Sequence, residues 1–265
     1  MSVVDYFLAP SAGAGGSQGW VPTRRSANRR RFDISATNDL SSVSTPGRRR
    51  LSIEDFRPTS LDEVLGQPLA VARLHRILAG VHNGTVVPPH LLFHGPPGVG
   101  KTAAARAFGR AALGEQFFEP NFSELKAFDS RDHSVLPDII MKSRAPPKGG
   151  APFRILFFDE LESLEPAAQN DLRPAMEGEG GHSVFILACN EIHGVAKALL
   201  SRCTVLEFRP VGPDVMRQIV AAALTKTPFH LDEGTISSII ERANGVPREA
   251  IKLLLEEGGA QPVGS

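Results

Sequence analysis

The chain has 265 residues, 42% of them hydrophobic and 22% charged, with a formal net charge of zero. That suits one large domain or two small ones around a real core. No apolar run approaches the roughly 18 residues that span a bilayer, and two cysteines, Cys189 and Cys203, exclude a disulfide scaffold and a four-cysteine zinc site.

The chain start lacks the basic-then-apolar order of a secretory signal, so a reducing, intracellular setting without a membrane partner is expected. The zero net charge conceals an asymmetry. Residues 1–50 hold eight Arg, no Lys and three Asp, a net of +5, which leaves −5 for the remainder. Residues 8–50 are rich in Ser, Gly, Ala, Thr and Arg, with almost no apolar periodicity. Such a stretch cannot bury enough surface to offset its ordering entropy, so residues 1–50 are expected to form a disordered basic tail. Its runs Arg24-Arg25, Arg29-Arg30-Arg31 and Arg48-Arg49-Arg50 admit a nuclear localisation signal or DNA-tethering arm, an organellar transit peptide, or a solvated linker. The expected location is accordingly the nucleus of a eukaryotic cell or otherwise the cytoplasm, with organelle targeting left open.

From Leu51 onward apolar runs alternate with helical patterns. Helices are expected near 61–80, 133–143, 165–177 and 194–200, and over Thr102 to Leu113. Strands are expected at His90–His94, Phe153–Phe158, Val184–Cys189 and Thr204–Phe208. This alternation predicts an α/β fold, a parallel sheet with helices on both faces, over 51–210. After Pro210 the pattern is purely helical, at 213–225, 232–243 and 247–257. A small all-α domain over 211–257 is therefore expected, then a tail at 258–265.

Gly95-Pro96-Pro97-Gly98-Val99-Gly100-Lys101-Thr102 fits G-x-x-x-x-G-K-[ST], between a strand and a helix. Glycines let backbone N–H groups close around phosphate oxygens. Lys101 supplies a point charge to β- and γ-phosphates, and the Thr102 hydroxyl can ligate Mg²⁺. The helix N-terminus favours the anion further. Downstream, Ile155-Leu156-Phe157-Phe158 is an apolar strand ending in Asp159-Glu160. Asp159 there can hold the Mg²⁺ that bridges the phosphates, and Glu160 can orient or deprotonate the attacking water.

Three further residues carry weaker signals. Asn190 follows the third expected strand, where its amide can bond both a γ-phosphate and a water, or simply end the strand as a turn. Arg202, in Ser201-Arg202-Cys203, can stabilise transition-state charge or form a surface ion pair. Arg248 opens the last helix after Pro247, a residue favoured at a first helical turn. The eight histidines show no metal-ligand spacing and read as structural or surface groups. Cys189 and Cys203 read as buried thiols, and Met141, Met176 and Met216 as packing residues.

Taken in order, Phe56-Arg57-Pro58, Leu61-Asp62-Glu63-Val64-Leu65-Gly66-Gln67, the phosphate loop, Asp159-Glu160, Ala168-Gln169-Asn170, Leu172-Arg173, Cys189-Asn190, Ser201-Arg202-Cys203 and Arg248 form a recognisable set. Over residues 51–257 the chain resembles the small subunits of replication factor C, the AAA+ sliding-clamp loader. The resemblance implies an AAA+ P-loop ATPase with a helical lid, using ATP and Mg²⁺ to open a sliding clamp and load it on primer-template DNA. It implies that Ile53 and Arg57 lie by the base and ribose and that residues 95–102 wrap the phosphates. Asn190 is then sensor 1 and Arg248 sensor 2. Arg202 is the arginine finger on the ATP of an adjacent subunit, so other clamp-loader subunits are implied partners.

The chain departs from the family in three places. The family continues past the lid with a helical collar, and with its end at Ser265 this chain is expected to lack one. Pro137 and Ile139 stand where the family carries basic DNA-facing residues, leaving Lys142 and Arg144 as substitutes. A paired Arg is reduced to Arg173-Pro174, and that proline should break or kink its helix. At the N-terminus, Val3, Tyr6 and Phe7 are spaced like a clamp-binding peptide without its leading Gln; an ordinary short apolar terminus is the plainer reading. Two alternatives stay open: a nucleotide-binding adaptor without loading activity, and another DNA-repair AAA+ ATPase of the branch-migration type.

Overall fold

The computed structural model describes residues 50–84, 87–126, 135–177 and 182–260. The basic runs before Arg50, the Val3/Tyr6/Phe7 triplet and residues 261–265 lie outside them. After short 3-10 turns at Ile53–Phe56 and Leu61–Glu63, the elements are α1 (Pro68–His82), β1 (His90–His94), α2 (Lys101–Leu113), α3 (Glu115–Asn121), β2 (Phe122–Lys126), α4 (Val135–Arg144), β3 (Arg154–Asp159), α5 (Pro166–Asp171), α6 (Arg173–Glu177), β4 (Ser183–Cys189), α7 (Lys197–Leu200) and β5 (Cys203–Glu207). Three helices follow: α8 (Pro213–Leu224), α9 (Glu233–Ala243) and α10 (Pro247–Ala260).

The five strands form one parallel sheet in the order β2-β3-β4-β1-β5. Its central strands are apolar throughout because both faces are covered. Leu91, Phe93, Ile155, Phe157, Ile186 and Ala188 face α1 and α2. Leu92, Leu156, Phe158, Phe185 and Leu187, alternating with them, face α4 to α7. The last three helices surround a separate core of Met216, Val220, Ile239, Ala250 and Leu254.

Several expectations need correction. The sheet has a fifth strand, β2, preceded directly by α3; neither was anticipated. The segment near 61–80 is a 3-10 turn followed by a helix that starts at Pro68, a residue suited to the first helical turn. The last helix runs to Ala260 rather than ending at 257. Met141 is 72% exposed on α4 and is not a core residue, whereas Met216 is buried. As expected of Pro174, the helix over 165–177 is broken: α5 ends at Asp171 and α6 begins at Arg173.

Phe157 is fully buried on β3, between strands β2 and β4. Phe157→Ala is expected to lower the unfolding free energy by about 3–5 kcal/mol in urea titrations. Val205→Ala, on the exposed side of edge strand β5, should change it by less than about 0.5 kcal/mol.

Candidate functional site

The parallel sheet brings the C-terminal ends of β1, β3 and β4 side by side, where α/β sheets form their ligand crevices. The loop Gly95–Gly100 leaves β1 at this edge and enters α2. Gly95 has a φ of +143°, and a Cβ on it would lie 1.9 Å from the Phe208 carbonyl oxygen. Gly98, at φ +80°, sits so close to the helical domain that a Cβ would lie 2.6 Å from Val246 Cγ1. Only glycine meets both the conformation and the approach. Pro96 and Pro97 stiffen the turn between them, and buried Val99 anchors it to the core.

Lys101 opens α2 and is 7% exposed. Its ammonium donates to the carbonyls of Gly95 at 2.5 Å and Pro96 at 2.9 Å, and to Asn190 Oδ1 at 3.0 Å. Burial holds its pKa below the ordinary lysine value; Asp159 and Glu162 oppose that shift and Arg248 adds to it. Beside it, the Thr102 hydroxyl donates to Asp159 Oδ2 at 2.8 Å. These are two hard oxygen donors at the mouth of a phosphate loop, a set that fits Mg²⁺. Glu160 follows in a left-handed conformation, φ 56° and ψ 48°, which costs a non-glycine residue on the order of 1–2 kcal/mol. That turn leaves its side chain exposed just past the strand end. Lys101, Thr102, Asp159, Glu160 and Asn190 thus lie together.

The helical domain touches the same loop. Val246 packs against Gly98, and the Arg248 backbone N–H donates to the Gly98 carbonyl at 3.3 Å. Arg248 is exposed in the first turn of α10. Ile53 is half-buried against the core of α8 to α10. Arg57 pairs with Glu54, its Nη2 donating to Oε1 at 2.7 Å.

Arg202 is elsewhere. It precedes β5, whose first residue, Cys203, pairs with His90 at the start of β1. The phosphate loop begins at the other end of β1, roughly 15 Å away along the strand. The Arg202 guanidinium donates to the Ala198 carbonyl at 2.6 Å and to Ser201 Oγ at 3.1 Å, and pairs with Glu177. It borders a shallow cleft of about 280 Å³ with Pro88, His90 and Met176. His90 is a structural histidine: Nδ1 accepts from the Phe185 N–H, leaving Nε2 to donate to Met176 O, and burial lowers its pKa.

Two residues near the site were overlooked as contributors. Gln67 is buried and joins three segments: Nε2 donates to Val99 O at 3.3 Å and Arg209 O at 2.7 Å, while Oε1 accepts from Arg209 N at 3.0 Å. Glu162 accepts from the Asn190 backbone N–H at 2.8 Å. Its signal in the sequence was an acid three residues past Asp159. Among the described residues, no cluster of three or more His, Cys, Asp or Glu is placed to hold a metal ion, and no helix is long and apolar enough to cross a membrane.

Fold and site together define a P-loop ATPase domain of the AAA+ class. Residues 91–211 match the family model of the ATPase family associated with various cellular activities (AAA). The chain is similar to replication factor C small subunits. That of Methanosarcina mazei is 36% identical over 208 residues, which is 78% of this chain and 60% of that protein. That of Archaeoglobus fulgidus is 38% identical over 203 residues, 76% of this chain and 62% of that protein. The chain therefore spans less than two thirds of these relatives. Among solved structures, the Thermotoga maritima RuvB Holliday junction branch migration motor shares the fold. Its TM-score is 0.64 at 25% identity, over 75% of this chain and 64% of that one.

Gly98→Ala is expected to weaken nucleotide binding about tenfold or more, read by fluorescent-nucleotide titration, because both φ and the Val246 contact resist a side chain. Burial pushes the Cys189 thiol up to about 11 and Cys203 to about 12. Both should resist iodoacetamide at pH 8 in the folded protein and react in urea. A thiol held neutral in the fold contributes fully below its unfolded pKa near 9, and that contribution is lost as pH rises toward 11–12.

Proposed function

We propose that this chain is a clamp-loader-type ATPase subunit, which binds and hydrolyses ATP with Mg²⁺ to drive opening of a sliding clamp and its loading on primed DNA. The observation that carries this is the convergence of Lys101, Thr102, Asp159, Glu160 and Asn190 at one sheet edge, in a chain related to replication factor C small subunits.

Gly95 to Thr102 wrap the phosphates, and Lys101 leaves the loop carbonyls for the β- and γ-oxygens. Thr102 and Asp159 would hold Mg²⁺, which would supply positive charge against the charge that develops on the phosphates. Glu160 takes the proton of the attacking water or orients it. Asn190, once Lys101 moves, can bond the γ-phosphate and that water. Arg248 reaches the γ-phosphate from the lid, and Ile53 and Arg57 flank the base and ribose. Arg202 faces away from its own site, which suits a finger acting on an adjacent subunit's ATP.

One observation favours a second reading, an adaptor that binds nucleotide without loading clamps. Ile139, at a place where the family is basic, is buried in the core and cannot meet a phosphate backbone. Lys142 and Arg144 are exposed at the end of the same helix and supply the positive charge that remains there.

Steady-state ATPase across protein concentration, with and without primed DNA and beside Arg202→Ala, separates the readings. A clamp-loader subunit gives a specific rate that rises with concentration, requires Arg202 and is raised by DNA. Tight ATP binding with no turnover at any concentration selects the adaptor. Glu160→Gln should abolish turnover and spare nucleotide binding.

A further inference from the structure

We propose that Glu162 is a positioning residue of the nucleotide site, holding the end of β4 so that the Asn190 carboxamide is aimed at the terminal phosphate of a bound triphosphate. This rests on the reading of Asn190 as a γ-phosphate sensor.

The geometry is specific. Glu162 lies in the 3-10 turn Leu161–Ser163, immediately after Asp159 and Glu160. That turn is fixed at both ends. The Ser163 N–H donates to the Glu160 carbonyl at 2.9 Å, and buried Gln169 donates to the Leu164 carbonyl at 3.0 Å. From this platform one Glu162 oxygen accepts the Asn190 backbone N–H. The carboxylate thus ties the strand end that carries the metal and water acids to the strand end that carries the sensor. Gly194 makes room for it, since a Cβ there would approach the Glu162 Cβ to 3.1 Å.

The other Glu162 oxygen, Oε2, is buried without a hydrogen-bond partner. A mere strand-end staple has no need of a second, unbonded charged oxygen, which is costly to bury. Its charge acts on the Lys101 ammonium, which Asn190 Oδ1 also contacts. Glu162 therefore bears on both partners of the Lys101–Asn190 hydrogen bond, one by a backbone tether and the other by charge.

The test compares ADP with a non-hydrolysable ATP analogue, each titrated with Mg²⁺ against the full chain. Wild type should prefer the analogue. Asn190→Ala and Glu162→Ala should each weaken the analogue by about 3- to 10-fold, the worth of one hydrogen bond, and leave ADP within about twofold. The double variant should be no worse than either single one. Glu162→Gln, whose amide oxygen can still accept but whose charge on Lys101 is gone, should keep only part of the preference. Glu162→Asp, whose acceptor is withdrawn by one methylene, should lose it, and these two variants carry the test if alanine unfolds the turn. Equal weakening of both nucleotides by Glu162→Ala, or additive losses in the double variant, overturns the proposal. If Asn190→Ala removes the preference and the Glu162 variants do not, the inference about Glu162 alone fails. If Asn190→Ala keeps it, the sensor reading fails, and the inference with it.

Discussion

The Lys101 ammonium is a buried cation, and the site is organised around keeping it tolerable. A charge removed from water must be bonded or paired. Here the loop's own carbonyls at Gly95 and Pro96 and the Asn190 amide oxygen accept its hydrogen bonds, while Asp159 and Glu162 supply opposing charge. In effect the loop folds its cation onto itself where a phosphate would sit. An incoming triphosphate offers oxygens of higher charge, so the ammonium can exchange partners without being exposed to water. The same exchange frees the Asn190 carboxamide. One hydrogen bond thus joins the loop's lysine to Asn190 at the end of β4.

That arrangement depends on sheet order. β4 lies between β3 and β1, so Asn190 emerges between the acids and the phosphate loop. The order also explains how the lid is engaged. The Gly95 turn leaves no room between the loop and Phe208 just past β5, and Gly98 leaves none between the loop and Val246. Buried Gln67 bonds the loop at Val99 and the connection to the lid at Arg209. A shift of the phosphate loop on binding nucleotide is therefore felt by the chain that leads into α8 and by the first turn of α10. Small displacements carry because packed contacts of this kind do not deform continuously.

The parts of this molecule legible in its sequence are those whose chemistry is contiguous. The phosphate loop and Asp159-Glu160 need particular residue types next to one another, and the buried strands that carry them are apolar on both faces. Strand β2 escaped notice for the opposite reason. Phe122-Ser123-Glu124-Leu125-Lys126 holds two apolar residues and neither an apolar run nor a strict alternation, lies at a sheet edge, and follows α3 with no turn residue between. Its Glu124 is paired with Arg106 at 2.6 Å, a partner that no local pattern discloses. Glu162 left only the trace of an acid three residues past Asp159, because its contact is a backbone N–H 28 residues away, which any residue at position 190 except proline would offer. Pro174 was legible, since its effect on a helix is local.

The placement of Arg202 is a consequence of topology. A residue at the start of β5 in a parallel sheet is separated from the phosphate loop by the length of β1, so no rotamer brings it to its own site. What holds it in this chain is slight. The ion pair with Glu177 is partly exposed, and such pairs contribute little net free energy. The carbonyl of Ala198 and the hydroxyl of Ser201 are neutral acceptors that water can replace. A triphosphate presented by another subunit would meet an arginine whose present contacts cost little to give up. The guanidinium fork could then turn from one carboxylate to phosphate oxygens with its geometry unchanged. In the proposed reading, assembly has to supply proximity and orientation, and does not have to break a strong internal bond first.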